Sequence, residues 1–458
     1  MGDDENQELS VAWEQEPPAS VRLNSKFPGL AACSSISGRI PWAAEGYYLN
    51  QRLTFTFDPL FHAGCYYVQE ASSMFVEQVL RRYVTTPVKM LDLCAAPGGK
   101  STHARSVLPE GSLLVANEVI RNRSQILAEN LTKWGYADVV VTNNDPSDFS
   151  RIGSFFDVIL TDVPCSGEGM FRKDPGAIEE WSPENVEICW QRQRRIITDI
   201  WPCLKPGGIL IYSTCTFNTR DDEEIITWIR QEFGAEPLPL AVPTEWNITG
   251  SLLAGADAPV YRFLPHKTQG EGFFLAALRK PEEDREADTD LFSPKKKKSK
   301  GDTAASPVSK ENLAIAKSWL ASSDEYNLLV NGTAITAFPV YYQNDLALLR
   351  QSLRIVQAGT EVAEVKGKDL IPAHGLAMSR LLKTSVFSTE ALTYEQAIAY
   401  LRKEAIVLPP SVPKGYVLVT YKEIPLGFVK NIGNRANNLY PQEWRIRSGY
   451  LPDDIRTL

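Results

Sequence analysis

The stretch VKMLDLCAAPGGKS, residues 88–101, decides the fold of the central part of the chain. It opens with an apolar run, as expected for a short strand that is buried on both faces. Gly98 and Gly99 then allow a close approach of the backbone. Lys100 begins a helix, whose free N–H groups favour a negative group. The stretch therefore predicts a strand, a ligand-binding turn and a helix in direct succession.

The residues on either side of this stretch repeat the same alternation. Apolar runs are separated by amphipathic segments such as residues 121–134 and 184–204. This order predicts right-handed βαβ units and an α/β fold with a doubly wound, mostly parallel sheet. The runs at residues 260–264 and 272–278 add the final strands. The strands predicted to be buried on both faces are residues 88–94, 112–118, 138–145, 156–165 and 207–215.

The length of 458 residues predicts several domains, because a single hydrophobic core does not grow to this size. Residues 1–87 are mixed and aromatic-rich, and residues 88–280 hold the predicted sheet. Residues 281–310 combine acidic, basic and small polar residues, which indicates a flexible linker. Residues 311–458 form a further unit, in which GYVLVTY and IPLGFVKNI predict short strands of a β-rich domain.

Composition excludes several classes of protein. The chain is 43% hydrophobic and 23% charged, and no apolar run approaches the ~20 residues needed to cross a bilayer, so we expect a cytoplasmic protein without membrane contact. Seven scattered cysteines without a CxxC pair argue against disulfides and against a metal site. A net charge of −8 argues against non-specific coating of nucleic acid, although it leaves room for a local basic surface.

Acidic residues stand at the ends of three predicted strands. Glu118 follows the glycine turn by about twenty residues, where an acidic side chain can accept hydrogen bonds from both ribose hydroxyls. Asp145 and Asp162 end the next two strands, so all three converge on the carboxyl edge of the sheet, where open α/β sheets bind ligands. Capping of the following helices is an equally good interpretation of Glu118 or Asp145 taken alone. The turn lacks the GxGxxG pattern of dinucleotide-dependent dehydrogenases.

Two cysteines fall at the same edge. Cys165 in PCSG and Cys215 in STCT stand among Pro, Ser, Gly and Thr, where a thiol can face a ligand. Cys189 and Cys203 instead lie in a helical pattern and are interpreted as small buried hydrophobic residues. The pair at the sheet edge therefore predicts thiol chemistry beside the glycine turn.

Four motifs together resemble the Sun/RsmF group within the Nop/Sun family of RNA cytosine-5 methyltransferases. They are DLCAAPGGKS at residues 92–101, NEV at 117–119, DVPCSGEG at 162–169 and STCTFNTRDDEE at 213–224. The resemblance covers residues 88–280 and implies a Rossmann-like fold that uses S-adenosylmethionine as cofactor. Asp162 in such enzymes lies between the cofactor and the target base. The cofactor-binding residues implied by the resemblance are Cys94, Ala95, Ala96, Pro97, Gly98, Gly99, Lys100, Glu118, Asp145 and Asp162.

Methylation at carbon 5 of cytosine benefits from transient addition of a thiolate at carbon 6, because carbon 5 is otherwise a weak nucleophile. The spacing of the motifs does not decide which cysteine attacks. DNA cytosine-5 methyltransferases use a Pro-Cys cysteine, which would be Cys165. The Sun/RsmF resemblance assigns the attack to Cys215 and leaves Cys165 to assist release of the methylated base. Lys100 is the nearest cation within the motifs that would favour a thiolate.

The flanking units are expected to bind RNA. The segment FHAGCYYVQEASSM, residues 61–74, resembles the family's N-terminal RNA-binding portion and places Gln69 and Glu70 towards the catalytic domain. Aromatic residues of this unit either stack on unpaired bases or form the core of a small subdomain. These aromatic residues are Trp42, Tyr47, Tyr48, Tyr66 and Tyr67.

The segment 427–447, GFVKNIGNRANNLYPQEWRIR, resembles the PUA-like domain of RsmF-type enzymes. This domain favours 16S ribosomal RNA as the substrate, with transfer RNA as the alternative. A non-catalytic RNA-binding assembly factor and a DNA methyltransferase are less well supported, because the cysteines and the glycine turn are intact and no large insertion for DNA recognition is present. The residues expected to contact RNA are Lys430, Arg435, Tyr440, Trp444, Arg445 and Arg447.

Overall fold

A computed structural model describes residues 2–282 and 308–458 of the chain. Most of the segment predicted to be a linker, residues 283–307, lies outside the described residues. The described part consists of an N-terminal unit, a central α/β unit and a C-terminal unit that contains two further sheets.

The N-terminal unit is a small antiparallel sheet with short helices. Its strands lie in the order β2-β3-β1-β4, and the last helix, α3, packs on the first helix of the central unit. The elements are α1 (Asp3–Trp13), β1 (Ser20–Leu23), β2 (Ile36–Arg39), β3 (Gly46–Leu49), α2 (Pro59–His62), β4 (Tyr66–Val68) and α3 (Val76–Tyr83).

The central unit contains the predicted strands and helices in the predicted order. Its elements are β5 (Lys89–Asp92), α4 (Gly99–Val107), β6 (Leu113–Asn117), α5 (Arg121–Trp134), β7 (Val139–Thr142), β8 (Phe156–Asp162), α6 (Pro175–Glu180), α7 (Pro183–Ile200), β9 (Leu204–Thr214), α8 (Glu223–Phe233), β10 (Glu236–Pro237), β11 (Tyr261–Phe263) and β12 (Phe273–Arg279).

The central sheet is doubly wound, as predicted. Strands β7, β6, β5, β8 and β9 are neighbours in that order and run parallel, while β12 joins β9 in the antiparallel direction. Successive residues of β5 enter different cores, because side chains alternate between the two faces of a strand. Met90 packs with residues of α3, α4 and α5, whereas Leu91 packs with residues of α7 and α8. Helices thus cover both faces of the sheet.

The chain changes direction across the sheet at β5. From this strand it first builds β6 and β7 on one side and then returns to build β8 and β9 on the other. The loops after β5 and β8 therefore diverge and leave a crevice at the carboxyl edge, where doubly wound sheets bind ligands.

The C-terminal unit contains two four-stranded sheets, ordered β13-β14-β16-β17 and β18-β19-β20-β21. The predicted strands in GYVLVTY and IPLGFVKNI are present as β19 and β20. The elements are α9 (Lys310–Ser318), β13 (Tyr326–Asn331), β14 (Ala334–Pro339), α10 (Gln343–Ser352), β15 (Ile355–Ala358), β16 (Thr360–Lys366), β17 (Asp369–Pro372), α11 (His374–Met378), β18 (Ser388–Ala391), α12 (Tyr394–Leu401), β19 (Gly415–Tyr421), β20 (Ile424–Asn431) and β21 (Ala436–Asn438).

One strand of the C-terminal unit belongs to the central sheet. Strand β15 pairs antiparallel with β7, with Ala358 opposite Val140. Sequence patterning places β15 within residues 311–458, far from the other strands of its sheet. The sheet therefore extends beyond the boundary that we predict at residue 280.

Candidate active site

The glycine turn after β5 has the backbone conformation that the sequence predicts. Gly98 has a φ of 115°, in the left-handed region that residues with a Cβ rarely adopt. Two side chains of α5 fix the turn from one side, since Arg123 donates to the carbonyl of Ala96 at 2.8 Å and Asn130 donates to that of Pro97 at 2.8 Å. The turn is thus held in place before any ligand arrives.

A cavity of about 190 Å³ lies between this turn and the N-terminal unit. Residues of both units form its wall, including the predicted Gln69 and Glu70. A ligand bound here would contact the N-terminal unit as well as the catalytic unit. The lining residues are Tyr67, Val68, Gln69, Glu70, Ser73, Asp92, Cys94, Ala95, Ala96, Pro97, Gly99, Lys100 and Asp162.

Lys100 and Asp162 form an ion pair at the edge of the cavity. Lys100 Nζ donates to Asp162 Oδ2 at 2.9 Å, and Ser213 Oγ donates to Asp162 Oδ1 at 2.8 Å. Burial alone would lower the pKa of Lys100, but the Asp162 carboxylate outweighs it and raises this pKa. The ammonium group is therefore charged at neutral pH. Helix α4 and strands β8 and β9 each contribute one group to the network.

The two cysteines at the carboxyl edge are in direct contact. Cys165 Sγ and Cys215 Sγ lie 3.4 Å apart, although 50 residues separate them in the chain. A hydrogen bond from the Cys165 thiol lowers the pKa of the Cys215 thiol, and the charge of Lys100 lowers it further. The same contact, together with burial, raises the pKa of Cys165 well above its usual range. Either sulfur could donate in this contact, and the directions of the two pKa shifts favour Cys215 as the thiolate and Cys165 as the proton-bearing partner.

Glu118 and Asp145 make local hydrogen bonds in the structure and do not line the cavity. Glu118 Oε1 accepts the backbone N–H of Ile120 at 2.8 Å, and Asp145 caps a helical turn by accepting the N–H of Ser147 at 3.1 Å. Asp145 also faces Arg195 at 3.4 Å. The contact of Asp145 is the one that the capping alternative predicts, whereas Glu118 bonds to the residue before α5 and does not cap that helix. A cofactor contact of either residue stays a prediction.

Sequence reasoning missed Asp92, which the structure places inside the cavity wall. Its Oδ2 accepts from Ser101 Oγ at 2.6 Å, while Oδ1 has no hydrogen-bond partner among the described residues. Burial raises the pKa of Asp92 to about 7. An unpartnered carboxylate oxygen beside the N-terminus of α4 suits a ligand that carries both positive and negative groups, as S-adenosylmethionine does. The signal was its position as the last residue of β5.

The structure distinguishes the two interpretations of the aromatic residues in the N-terminal unit. Trp42, Tyr47, Tyr48 and Tyr66 are buried in the protein interior. Trp42 donates its indole N–H to Ala71 O at 2.7 Å, so it holds the chain together and is not accessible to a base. Packing of a small subdomain was the competing interpretation, and burial favours it for these four rings. Tyr67 differs, since it is half-buried and lines the cavity.

The residues of the C-terminal unit that are expected to contact RNA also include both exposed and buried side chains. Arg435, Arg445 and Arg447 are exposed, but Tyr440 is fully buried and cannot stack on RNA. Lys430 Nζ is bonded to Asp369 Oδ2 at 2.6 Å. The three arginines therefore remain as the accessible cations among these residues.

No helix within residues 2–282 and 308–458 is long and apolar enough to cross a membrane. In the same ranges, no three His, Cys, Asp or Glu side chains come together as a metal site would require.

Comparison with known proteins matches three segments of the chain to family models. Residues 85–279 match 16S rRNA methyltransferase RsmB/F. Residues 1–71 match the N-terminal domain of 16S rRNA methyltransferase RsmF, and residues 388–446 match the methyltransferase RsmF PUA domain. The three matches follow one another in the chain, and one of them falls in each of its three units.

Whole-chain relatives agree with these matches. The ribosomal RNA small subunit methyltransferases F of Shigella boydii and Escherichia coli are each 30% identical over 433 residues, which is 90% of this chain and 85% of theirs. The crystal structure of a methyltransferase homologue from Pyrococcus horikoshii superposes with a TM-score of 0.51 at 27% identity, over 60% of this chain and 90% of that one. The chain belongs to the RsmF-type branch of the Nop/Sun family of S-adenosylmethionine-dependent RNA cytosine-5 methyltransferases.

Proposed function

We propose that the protein methylates carbon 5 of a cytosine in the 16S RNA of the small ribosomal subunit, in the cytoplasm, with Cys215 as the nucleophile. The observation that carries the proposal is the contact of 3.4 Å between the sulfurs of Cys165 and Cys215 beside Lys100 and Asp162. A nucleophile whose charged form is favoured by a neighbouring hydrogen-bond donor and a cation is an arrangement that covalent catalysis uses.

The first step is addition to the target base. The thiolate sulfur of Cys215 forms a bond to carbon 6 of cytosine, and the electron pair of the C5–C6 double bond makes carbon 5 nucleophilic. Lys100 favours the thiolate because its positive charge lowers the pKa of Cys215. When bound, S-adenosylmethionine supplies the activated methyl group that carbon 5 accepts. The positions assigned to it are the glycine turn from Cys94 to Lys100 together with Asp92.

The second step releases the product. The proton on carbon 5 is lost to solvent, the C5–C6 double bond forms again, and the Cys215 sulfur departs from carbon 6. Cys165 lies within contact of that sulfur and has a raised pKa, so it carries a proton at neutral pH. It can therefore protonate the departing sulfur of Cys215. Removal of Cys165 is expected to leave the protein attached to the RNA.

Asp162 orients the groups that take part in these steps. Its two carboxylate oxygens accept from Lys100 and Ser213, which stand on opposite sides of it. The carboxylate therefore fixes the ammonium group relative to the loop that carries Cys215. In this position it also borders the cavity, where we expect it to lie between the cofactor and the target base.

The choice of ribosomal RNA rests on the whole-chain relatives and on the PUA match. The relatives from Shigella and Escherichia are named as methyltransferases of the small subunit RNA. The exposed Arg435, Arg445 and Arg447 in and beside the PUA segment provide charge for phosphate contacts. Transfer RNA is the alternative substrate.

Two measurements test the proposal. Cys165→Ala is incubated with S-adenosylmethionine and RNA, denatured and examined by electrophoresis. We expect a protein–RNA adduct that is absent from the double variant Cys165→Ala/Cys215→Ala. An adduct that instead accumulates in Cys215→Ala would reverse the two roles. Bisulfite sequencing of total RNA from cells with and without the protein identifies the substrate, and a signal confined to transfer RNA would reject the ribosomal assignment.

A further inference from the structure

One buried carboxylate connects the two loops that carry the reactive cysteines. The first loop, residues 163–170, follows β8, and the second, residues 215–222, follows β9. Glu168 Oε2 lies 2.6 Å from the hydroxyl of Ser166 and also accepts from the hydroxyl of Thr216. These two residues directly follow Cys165 and Cys215. Glu168 therefore contacts both loops at the positions next to the thiols.

The other oxygen of the same carboxylate is equally engaged. Glu168 Oε1 accepts from Asn218 Nδ2 at 3.0 Å and from Trp181 Nε1 at 2.8 Å. The Glu168 residue is 6% exposed, so these donors replace its hydration almost completely. Three of the four partners, Ser166, Thr216 and Asn218, lie in the two loops, and the fourth, Trp181, follows α6. None of them involves the cofactor cavity.

Two further contacts keep the loops in register. The N–H of Gly169 donates to the carbonyl of Cys215 at 2.9 Å, and a Cβ on Gly169 would lie 2.4 Å from that carbonyl oxygen. The N–H of Ser166 donates to Asp221 Oδ2, in the second loop, at 2.8 Å. The approach of the loops is thus closer than any other side chain at position 169 would permit.

These links matter because the backbone ladder stops short of the cysteines. The parallel pairing of β8 with β9 ends at Asp162 and Ser213. Cys165 lies three residues beyond the end of one strand and Cys215 two residues beyond the last paired residue of the other. The distance between the two sulfurs is therefore set by contacts between the loops. The Glu168 carboxylate makes two of these, to Thr216 and Asn218, in addition to its contacts with Ser166 and Trp181.

We propose that Glu168 is a positioning residue for the methyl-transfer reaction: its carboxylate holds the two loops so that Cys165 stays in contact with Cys215. The inference rests on the roles proposed above for the two cysteines. It predicts that the geometry of the carboxylate matters more than its charge. In Glu168→Gln the amide oxygen can still accept from Trp181 and Asn218, and the amide nitrogen can donate to the hydroxyls of Ser166 and Thr216.

The test compares Glu168→Ala, Glu168→Gln and a control, Glu77→Gln, which alters an equally buried carboxylate in α3. We expect Glu168→Ala to lower kcat by about 10- to 100-fold, the scale for misplacement by about 1 Å. KM for RNA and the cofactor Kd should not change. Glu168→Gln and the control should keep kcat within about threefold of the wild type, since the catalytic groups stay aligned.

A second readout follows the thiol directly. The rate of alkylation of Cys215 by iodoacetamide, followed by peptide mass spectrometry across pH, reports the pKa of this thiol. We expect its midpoint to move to higher pH in Glu168→Ala, because the hydrogen bond from Cys165 is lost. A structural role elsewhere in the fold would not move this midpoint.

Three outcomes overturn the inference. They are a wild-type kcat and alkylation profile in folded Glu168→Ala, an equal loss in Glu168→Ala and Glu168→Gln, and a loss of cofactor affinity in Glu168→Ala. If Glu168→Ala does not melt cooperatively, Thr216→Val removes one link with little change of shape, and an unchanged alkylation profile there overturns the inference. Failure of the proposed function gives a different result, namely methylation that persists in Cys215→Ala.

Discussion

The chain places its cysteines in two kinds of environment. Cys165 and Cys215 stand in loops at the carboxyl edge of the sheet, beside the half-buried ammonium group of Lys100. Cys189 and Cys203 lie in and just after α7, in the hydrophobic interior, where Cys203 donates to the carbonyl of Phe149. Burial raises the pKa of Cys189, whereas contacts at the edge lower that of Cys215. Reactivity therefore follows from the backbone and the charges around a thiol.

The largest expected effect comes from removing the thiol at the edge. Cys215→Ser should lower methyl transfer by at least about 10³-fold, because a hydroxyl is not ionised at neutral pH and cannot add to carbon 6. Transfer of labelled methyl groups to RNA measures this loss. Cys189→Ala is the matched interior control and should retain activity within about twofold. Equal losses in both variants would abolish the distinction between the two environments.

The next largest loss of activity is expected from removal of the Lys100 ammonium group at the carboxyl edge of the sheet. Lys100→Met removes the cation that lowers the pKa of Cys215, so the thiolate fraction at a given pH should fall about tenfold for each unit by which that pKa rises. We expect a loss of about 10- to 100-fold in kcat and an alkylation midpoint at higher pH. Lys205→Met, which breaks the 2.6 Å ion pair with Asp157 on the opposite side of the sheet, is the control.

An unchanged alkylation profile in folded Lys100→Met would show that Lys100 does not influence the thiol. The contact with Cys165 would then be the remaining cause of the lowered pKa.

A smaller effect is expected at the cofactor. Glu118→Ala should weaken S-adenosylmethionine binding by about 1–3 kcal/mol, the scale for losing hydrogen bonds to a charged acceptor. Titration calorimetry measures the change. Asp145→Ala, compared in parallel, tests whether the more exposed of the two strand-end carboxylates contributes equally. Unchanged affinity in folded Glu118→Ala would limit this residue to its bond with Ile120.

The smallest expected effect is on the free energy of unfolding, and it arises from three histidines that are buried in the interior. Burial lowers the pKa of His103 to about 4 and those of His62 and His374 to about 3. Between these values and the ordinary value of 6.5 the unfolded chain binds more protons, so stability is complete above pH 6.5 and falls as the pH drops. Burial also raises the pKa values of Asp92, Asp58, Asp221 and Asp222, and these groups act in the opposite direction. The contribution of a histidine is therefore the difference between the wild type and the variant that lacks it.

We expect the free energy of unfolding to fall by roughly 1 kcal/mol per histidine between pH 7 and pH 5. Urea unfolding at several pH values measures this change. The variant His103→Gln should flatten the dependence. An identical pH dependence of stability in the wild type and His103→Gln would contradict the assignment of His103 as a neutral, buried ring.

The glycine turn and the two thiols at the sheet edge could be predicted from the sequence, because few residue types suit such a turn or can act as a nucleophile. The left-handed Gly98 and the cysteines among turn residues can be placed from a few neighbours in the sequence. Asp92 was missed because its free oxygen becomes visible only when Ser101 is seen to occupy the other one. Glu168 stands in a motif that the sequence singles out, yet its partners Thr216 and Asn218 are about fifty residues away.

Aromatic residues and sheet boundaries were harder to predict. Aromatic residues that are buried, such as Tyr66, and aromatic residues that stack on bases are of the same types and have the same spacing in a sequence. Only their packing in the folded protein distinguishes them. Strand β15 carries no signal of its partner, because pairing between distant strands depends on the whole fold.

That pairing sets an order of events during synthesis. Strand β7 is complete at residue 142, but β15 begins only at residue 355, and ribosomes add about 5–20 residues per second. The edge of β7, rich in valine, therefore waits for at least about ten seconds with unpaired backbone groups while the rest of the enzyme is made. Unpaired apolar edges of this kind are sites of aggregation. The catalytic sheet of this enzyme is therefore complete only after residues 355–358 have been synthesised.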